Sequence, residues 1–202
     1  MIIIDDIEQG SDAWFREKAG KPGASSFDRI VTTKGEPSKS RTDYLYQLAG
    51  EAMIGRQEEG YTNFAMQQGV ERESESRALF EMLQGVTIRK VGLVYRDEGR
   101  AVLCSPDGLL DGCGLEMKNP LLKTHVKYLL NGTLPTDYFQ QVHGSMYVTG
   151  FDRWFFMSNY PGLPPFIIEV KRDKRFIEKL SVEMDKFVYD LAALVAKLRG
   201  MV

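Results

Sequence analysis

Two carboxylates and a lysine stand close together in the stretch SPDGLLDGCGLEMKNP, which runs from Ser105 to Pro120. Asp107 follows a proline, and Glu116 and Lys118 follow a glycine-rich turn. If VLCSPDGLL and GLEMKNP are neighbouring strands, the DGCG turn brings their ends together. Side chains alternate along a strand, so Glu116 and Lys118 point to one face and Met117 to the other. Asp107 can then converge with both. Paired carboxylates repel unless a cation joins them, and hard oxygen ligands suit Mg²⁺ or Mn²⁺. A lysine beside such a metal can orient a water or neutralise a phosphoryl transition state. The same residue types are common, and an exposed hairpin with scattered charges also fits this stretch.

Three further stretches carry chemistry-bearing residues. QQGVERESESRALFE places Glu73 on a helix ahead of the strands, where a third carboxylate would serve a metal pair. DYFQQVHGSMYVTG reads as a helix whose Gln141 can hydrogen-bond active-site groups from behind. In QGSDAWFREKAGKPGASSFDRIV a tryptophan leads through basic residues to serines at a helix start. A helix N-terminus with hydroxyls and a nearby lysine is a natural phosphate seat. Each also has a plainer reading: a solvated helix face, a polar position on an amphipathic helix, and ordinary capping.

The elements that must position these residues follow from periodicity and punctuation. Helices are expected at 11–19, at 42–55 ending near Gly55, and at 70–84 stopped by Gly85, with Val70, Ala78, Leu79, Met82 and Leu83 as the last one's buried side. GASSFDRIV reads as a loop feeding a helix capped by Ser25 or Ser26. TTKGEPSKSRT, with Lys34, Lys39 and Arg41, reads as an exposed basic loop. From Val91 to Asn119 short apolar runs alternate with tight turns, a string of strands. Helices follow at 120–131 and at 136–149, the latter capped by Thr136 or Asp137. RWFFMSNY and FIIEV are two more strands, and apolar residues at three- and four-residue spacing from Phe176 to Leu198 make a long terminal amphipathic helix. The fold class is α/β, a mixed central sheet with helices on both faces.

The chain has 202 residues, 43% apolar and 27% charged, ordinary globular composition that suits one domain over 1–202. No apolar run reaches a membrane span, and the apolar start MIIIDDIEQG has no basic flank or cleavage site, so no signal peptide and a cytoplasmic location are expected. Without a secretion signal, Cys104 and Cys113 are expected as free thiols. The net charge of −2 counts mildly against a nucleic-acid partner but leaves local basic surfaces open.

Pro-Asp, a spacer and Glu-x-Lys resemble the PD-(D/E)XK nuclease signature. Taken in order, the blocks QGSDAWF, GVERESESRALFE, VYRDE, CSPDGL, GLEMKNP and QVHGSMYVTG resemble the phage recombination exonucleases typified by lambda exonuclease, from about Gln9 to Asn159. The resemblance implies a restriction-endonuclease-like core and a phage or prophage protein acting in a bacterial host. It implies a ring-shaped homotrimer that digests one strand of linear duplex DNA from its 5′ end, leaving a 3′ overhang for a single-strand annealing protein. By the same resemblance, Asp107, Glu116, the Met117 carbonyl and Glu73 hold two Mg²⁺ ions, with Mn²⁺ a possible substitute. Lys118 is the catalytic lysine and Gln141 the helix glutamine. Lys18 and Ser25 hold the 5′-phosphate, Met66 stands at an apolar wedge, and Lys34, Lys39 and Arg41 touch the duplex backbone.

The chain departs from that pattern in three places. Lys18 stands where an arginine is usual and offers a point charge in place of a two-pronged contact. Gly23 stands where a hydroxyl residue is common. His143 stands where a second glutamine is often found, and is expected near the attacking water or the phosphate. Two other readings stay open: an endonuclease of the restriction or repair kind, and a non-catalytic DNA-binding scaffold.

Overall fold

The structure is a computed structural model that describes residues 1–57 and 72–201. Its strands fall into two sheets. In the first, β1 (Ile2–Ile4), β2 (Leu93–Tyr95) and β3 (Leu103–Cys104) pair antiparallel in that order. The apolar start of the chain is therefore an edge strand, with Ile2 opposite Tyr95. In the second, β4 (Gly108–Leu110) and β5 (Cys113–Lys118) form the expected hairpin. Strand β6 (Arg153–Ser158) runs parallel to β5, and β7 (Phe166–Lys171) antiparallel to β6. The single mixed sheet expected from the sequence is thus divided. The division falls at Ser105-Pro106-Asp107, between β3 and β4, where a proline offers no N–H to continue a ladder.

Alternation along β5 and β6 sorts the core. Leu115 and Met117 join Met157 and Phe80 in one apolar cluster. Trp154 and Phe156 face the other way, into a larger cluster. Helix α1 (Asp12–Lys18) follows β1, and on that larger side lie α2 (Arg41–Ile54), α4 (Leu122–Asn131), α5 (Phe139–Thr149) and α6 (Lys174–Arg199). Asp173 caps α6 by accepting the Phe176 N–H at 3.0 Å. The inward stripe of α6 runs from Phe176 through Leu180, Met184, Phe187 and Leu191 to Val195. Helix α3 (Glu73–Gln84) covers the smaller cluster, so helices flank the strands on both faces.

Three local expectations change. The buried face of α3 is Ser76 and Phe80, while Met82 and Leu83 are 71% and 49% exposed. The segment after Gly23 is a short 3₁₀ helix, Ala24–Arg29, whose cap position is Gly23 with no side-chain hydrogen bond. Thr136–Tyr138 is likewise a 3₁₀ turn, leading into α5 without a side-chain cap. Gly144 lets α5 lie against the 3₁₀ helix, since a Cβ there would stand 2.4 Å from the Phe27 ring. Cys104 and Cys113 are buried free thiols. Among the described residues no helix is long and apolar enough to cross a membrane.

Candidate active site

Strand β5 presents Glu116 and Lys118 toward α5. Glu116 is buried, and its Oε1 receives two donors, Lys118 Nζ at 2.5 Å and Gln141 Nε2 at 2.6 Å. Neither donor uses Oε2. The Lys118 ammonium also lies 5.1 Å from the Tyr138 ring centroid. The charges of Glu116 and Asp107 hold the Lys118 pKa above the usual lysine value, against the pull of burial.

Asp107 meets the opposite edge of the same strand. Its Oδ2 accepts the Met117 N–H at 2.5 Å. A strand residue projects its N–H and C=O to one edge, so the Met117 carbonyl also faces the Asp107 side. Burial, then repulsion from Glu116 and more weakly from Glu73, pushes the Asp107 pKa up to about 8, although Lys118 and the Met117 N–H pull it down. Asp107 and Glu73 line one cleft of about 570 Å³, together with Gln9, Arg77 and Lys90. Glu73 sits at the first turn of α3 and is ion-paired with Arg77, one turn on. The Arg77 guanidinium also donates to the Asp107 carbonyl at 3.2 Å.

Among the described residues no three ligand-type side chains are gathered closely enough to grip an ion as they stand. Two of the carboxylates are engaged by cations or amides: Arg77 holds Glu73, and Lys118 and Gln141 hold Glu116. The donor set nevertheless fits a hard divalent cation. Asp107 and Glu116 are oxygen donors close enough that the Glu116 charge disfavours ionised Asp107, and a cation between them removes that repulsion.

The segment from Gln9 to Ser25 braces the loop that carries Asp107. Gln9 Nε2 donates to the carbonyls of Val91 (2.8 Å) and Pro106 (2.9 Å). Trp14 Nε1 lies 3.0 Å from the Gly92 carbonyl and 3.1 Å from Ser105 Oγ. The Leu103 N–H donates to the Pro22 carbonyl at 3.2 Å, and Gly23 bridges to Leu103 in parallel. Lys18 Nζ rests 3.6 Å from the Trp14 ring centroid. Burial lowers its pKa to about 8, partly opposed by Glu51. Ser25 is exposed on the 3₁₀ helix. Lys18 and Ser25 therefore belong to one segment laid along the strand that leads into Asp107. Gln9, Arg77 and Ser105 were not singled out from the sequence. Ser105 carried a signal, standing two residues before Asp107, whereas the long-range contacts of Gln9 had none.

Other candidates fall elsewhere. His143 is 3% exposed, with its ring 4.3 Å from that of Phe139 and 5.7 Å from that of Phe176. Two helix positions separate it from Gln141 by roughly 200°, so it faces α6 while Gln141 faces Glu116. This corrects the expectation that His143 meets the attacking water or phosphate. Burial lowers its pKa to about 4, and its Nδ1 has no hydrogen-bond partner among the described residues. Arg41 is also corrected: it pairs with Glu183 (3.6 Å) and Asp190 (3.2 Å) and lies over Phe187, joining α2 to α6. The loop before it is anchored too, since Lys179 donates to the Lys34 carbonyl at 2.9 Å. The Lys34 and Lys39 side chains are exposed. Met66 lies outside the described residues.

Residues 13–152 match the family model of the YqaJ-like viral recombinase domain. No curated protein sequence matches the chain. Among solved structures, the fold is similar to the alkaline exonuclease LHK-Exo from Laribacter hongkongensis, alone and in complex with dAMP. Both comparisons give a TM-score of 0.85 and 29% identity, over 95% of this chain and 97% of the other. A phage-related exonuclease from Haemophilus somnus 129PT shares the fold at a TM-score of 0.69 and 14% identity, over 88% of this chain and 96% of that one. With the family model covering most of its length and a nuclease fold matched nearly end to end, the chain belongs to the YqaJ-like viral recombinases, the lambda exonuclease family of nucleases.

Proposed function

We propose that this protein is a divalent-metal-dependent 5′–3′ exonuclease that degrades one strand of linear duplex DNA and leaves a 3′ single-stranded overhang. The observation that carries the reading is the arrangement at Glu116. Lys118 and Gln141 share one carboxylate oxygen while Asp107 stands on the other edge of the strand, at the cleft that Glu73 lines. Asp107, Glu116, the Met117 carbonyl and Glu73 would hold Mg²⁺ or Mn²⁺, two ions by the family's pattern. When bound, such ions supply Lewis-acid neutralisation of the phosphate under attack. Glu73 must exchange its partner Arg77 to take part.

The chain's own groups divide the remaining work. Lys118 stays protonated beside Glu116 and Asp107, so it acts as a fixed positive charge on the phosphate oxygens and does not take a proton. Gln141 fixes the carboxylate of Glu116 in one orientation. Lys18, over Trp14 and beside the braced Asp107 loop, is the candidate receiver of the terminal 5′-phosphate, with Ser25 on the same segment. The dAMP complex of the similar alkaline exonuclease agrees with mononucleotide release. The whole chain acts as one nuclease unit, in a homotrimeric ring that passes the overhang to an annealing protein.

One time course with Mg²⁺ tests the reading, using linear duplex with a 5′-phosphate, the same duplex with a 5′-hydroxyl, and a covalently closed circle. Rapid loss of the 5′-phosphorylated strand with an intact circle is the expected result. A nicked or linearised circle would move the protein to the endonucleases. No cutting with either Mg²⁺ or Mn²⁺ would remove the nuclease assignment of these residues.

A further inference from the structure

Ser76 lies in α3 one turn after Glu73, is fully buried (0% exposed), and is polar in a position that packs beside Phe80. Its Oγ donates to Asn119 Oδ1 at 2.6 Å and accepts from Asn159 Nδ2 at 3.1 Å. Asn119 follows Lys118 at the end of β5, and Asn159 follows Ser158 at the end of the parallel neighbour β6. Lys118 and Ser158 are register partners, and the Asn159 N–H donates to the Lys118 carbonyl at 3.0 Å. One hydroxyl therefore joins the helix that carries Glu73 to the ends of both strands beside the catalytic lysine.

Packing alone does not require this. Phe80 already fills the apolar contact between α3 and β5, and burying a hydroxyl costs free energy unless both its roles are satisfied. Here both are, which fixes the rotation and height of α3 as an apolar contact would not. Among the described residues the first turn of the helix has few other ties: Arg72 at the cap position makes no side-chain cap bond and lies over the Tyr160 ring, and Glu73 is drawn toward Arg77 by an ion pair. Residues three apart share a helix face, so Ser76 sets the face on which Glu73 projects.

We propose that Ser76, Asn119 and Asn159 form a positioning triad that sets Glu73 against Glu116 and Lys118, so that helix and strand carboxylates reach one divalent cation together. The proposal rests on the metal-site reading given above. These are positioning residues, acting through Glu73.

The test titrates MgCl₂ into the wild-type chain, Ser76→Ala, Glu73→Gln and the double variant. Two readouts are followed, the melting temperature without DNA and the cleavage rate of an end-labelled duplex. The expected result is a rise in half-saturating Mg²⁺ of about tenfold for Ser76→Ala in both readouts, alongside a lower metal-free melting temperature, because a buried hydroxyl that joins two side chains is lost. The rise should vanish when Glu73 is already glutamine, because residues acting through one another are not additive. A lower metal-free melting temperature with unchanged half-saturation would overturn the proposal, as would an equal shift in the Glu73→Gln background. If Ser76→Ala does not fold, Asn159→Ser carries the same expectations. A wild-type chain unmoved by Mg²⁺ in both readouts would overturn the metal-site reading itself, a result distinct from any failure of the variants.

Discussion

Gln141 of α5 and Glu116 of β5 meet through a 2.6 Å hydrogen bond, and that bond lands on the same oxygen that receives Lys118 at 2.5 Å. One carboxylate oxygen thus orients the lysine and is itself oriented by the glutamine, while the other is left for a further partner. Removing the amide should let Glu116 rotate with Lys118. Gln141→Leu is expected to lower the cleavage rate by about 10- to 100-fold and to leave the melting temperature nearly unchanged. Single-turnover rates and thermal melts on one preparation check both halves. Gln141→Glu should be worse, because it sets a second negative charge against Glu116.

Lys118→Ala should lower cleavage by about 100-fold or more while duplex binding survives. Lys118→Arg is expected to rescue only weakly, since a planar guanidinium does not replace a compact ammonium. Gel-shift affinity measured beside the cleavage rate separates binding from chemistry. Wild-type rates in Lys118→Ala would remove the site assignment.

Asp107 predicts a pH dependence of stability. Its pKa rises from an ordinary 3.8 to about 8 in the folded chain. Between those values the unfolded state has released a proton that the folded state retains or yields only at a cost. Without metal, this group therefore costs stability progressively as the pH climbs from about 4 to about 8. Asp107→Asn removes that cost. In EDTA it should melt higher than wild type at pH 8, with the gap closing toward pH 4. Mg²⁺ should raise the wild-type melting temperature, by linkage to a ligand bound only by the folded state, and should raise that of Asp107→Asn much less.

Lys18 should make any preference for phosphorylated ends depend on pH. Its pKa is lowered from 10.5 to about 8, so it is charged below that pH and neutral above it. The ratio of rates on 5′-phosphate and 5′-hydroxyl ends is expected to fall as the pH rises from 7 to 9. Lys18→Arg should hold the ratio constant over that range, and Lys18→Ala should abolish it. Equal slowing of both substrates by Lys18→Ala would place the phosphate elsewhere.

His143 should matter to stability and not to chemistry. Its pKa falls from 6.5 to about 4 in the folded chain. Below pH 6.5 the unfolded state takes up a proton that the fold refuses, so stability is lost as the pH falls from 6.5 to about 4. His143→Leu should flatten that limb of the melting curve and keep cleavage at pH 8 within about twofold of wild type, in line with its place among Phe139 and Phe176. A large loss of cleavage with an unchanged melt would return the residue to the site.

Much of the molecule was legible in one dimension. The long stripe from Phe176 to Val195, the glycine stops after α2 and α3, and the hairpin between Gly108 and Lys118 are local consequences of periodicity and turn chemistry. Alternation alone put Glu116 and Lys118 on one face of a strand, and the order of the motif blocks pointed to the family that residues 13–152 match. Which polar side chains on a helix turn toward the site was not local. Gln141 and His143 are two residues apart and equally polar in sequence. Only the packing of α5 between the sheet and α6 sends one to Glu116 and the other to Phe176. Arg41 reads as a free cation until α6 brings Glu183 and Asp190 beside it. Gln9 and Ser76 make their contacts across 97 and 43 positions of chain. The sequence by itself determined the chemistry-bearing residues and the elements that carry them, because propensity and side-chain alternation act within a few residues. The tertiary structure decided which of those residues meet, because that depends on how whole helices rotate and dock, and no short-range pattern encodes it.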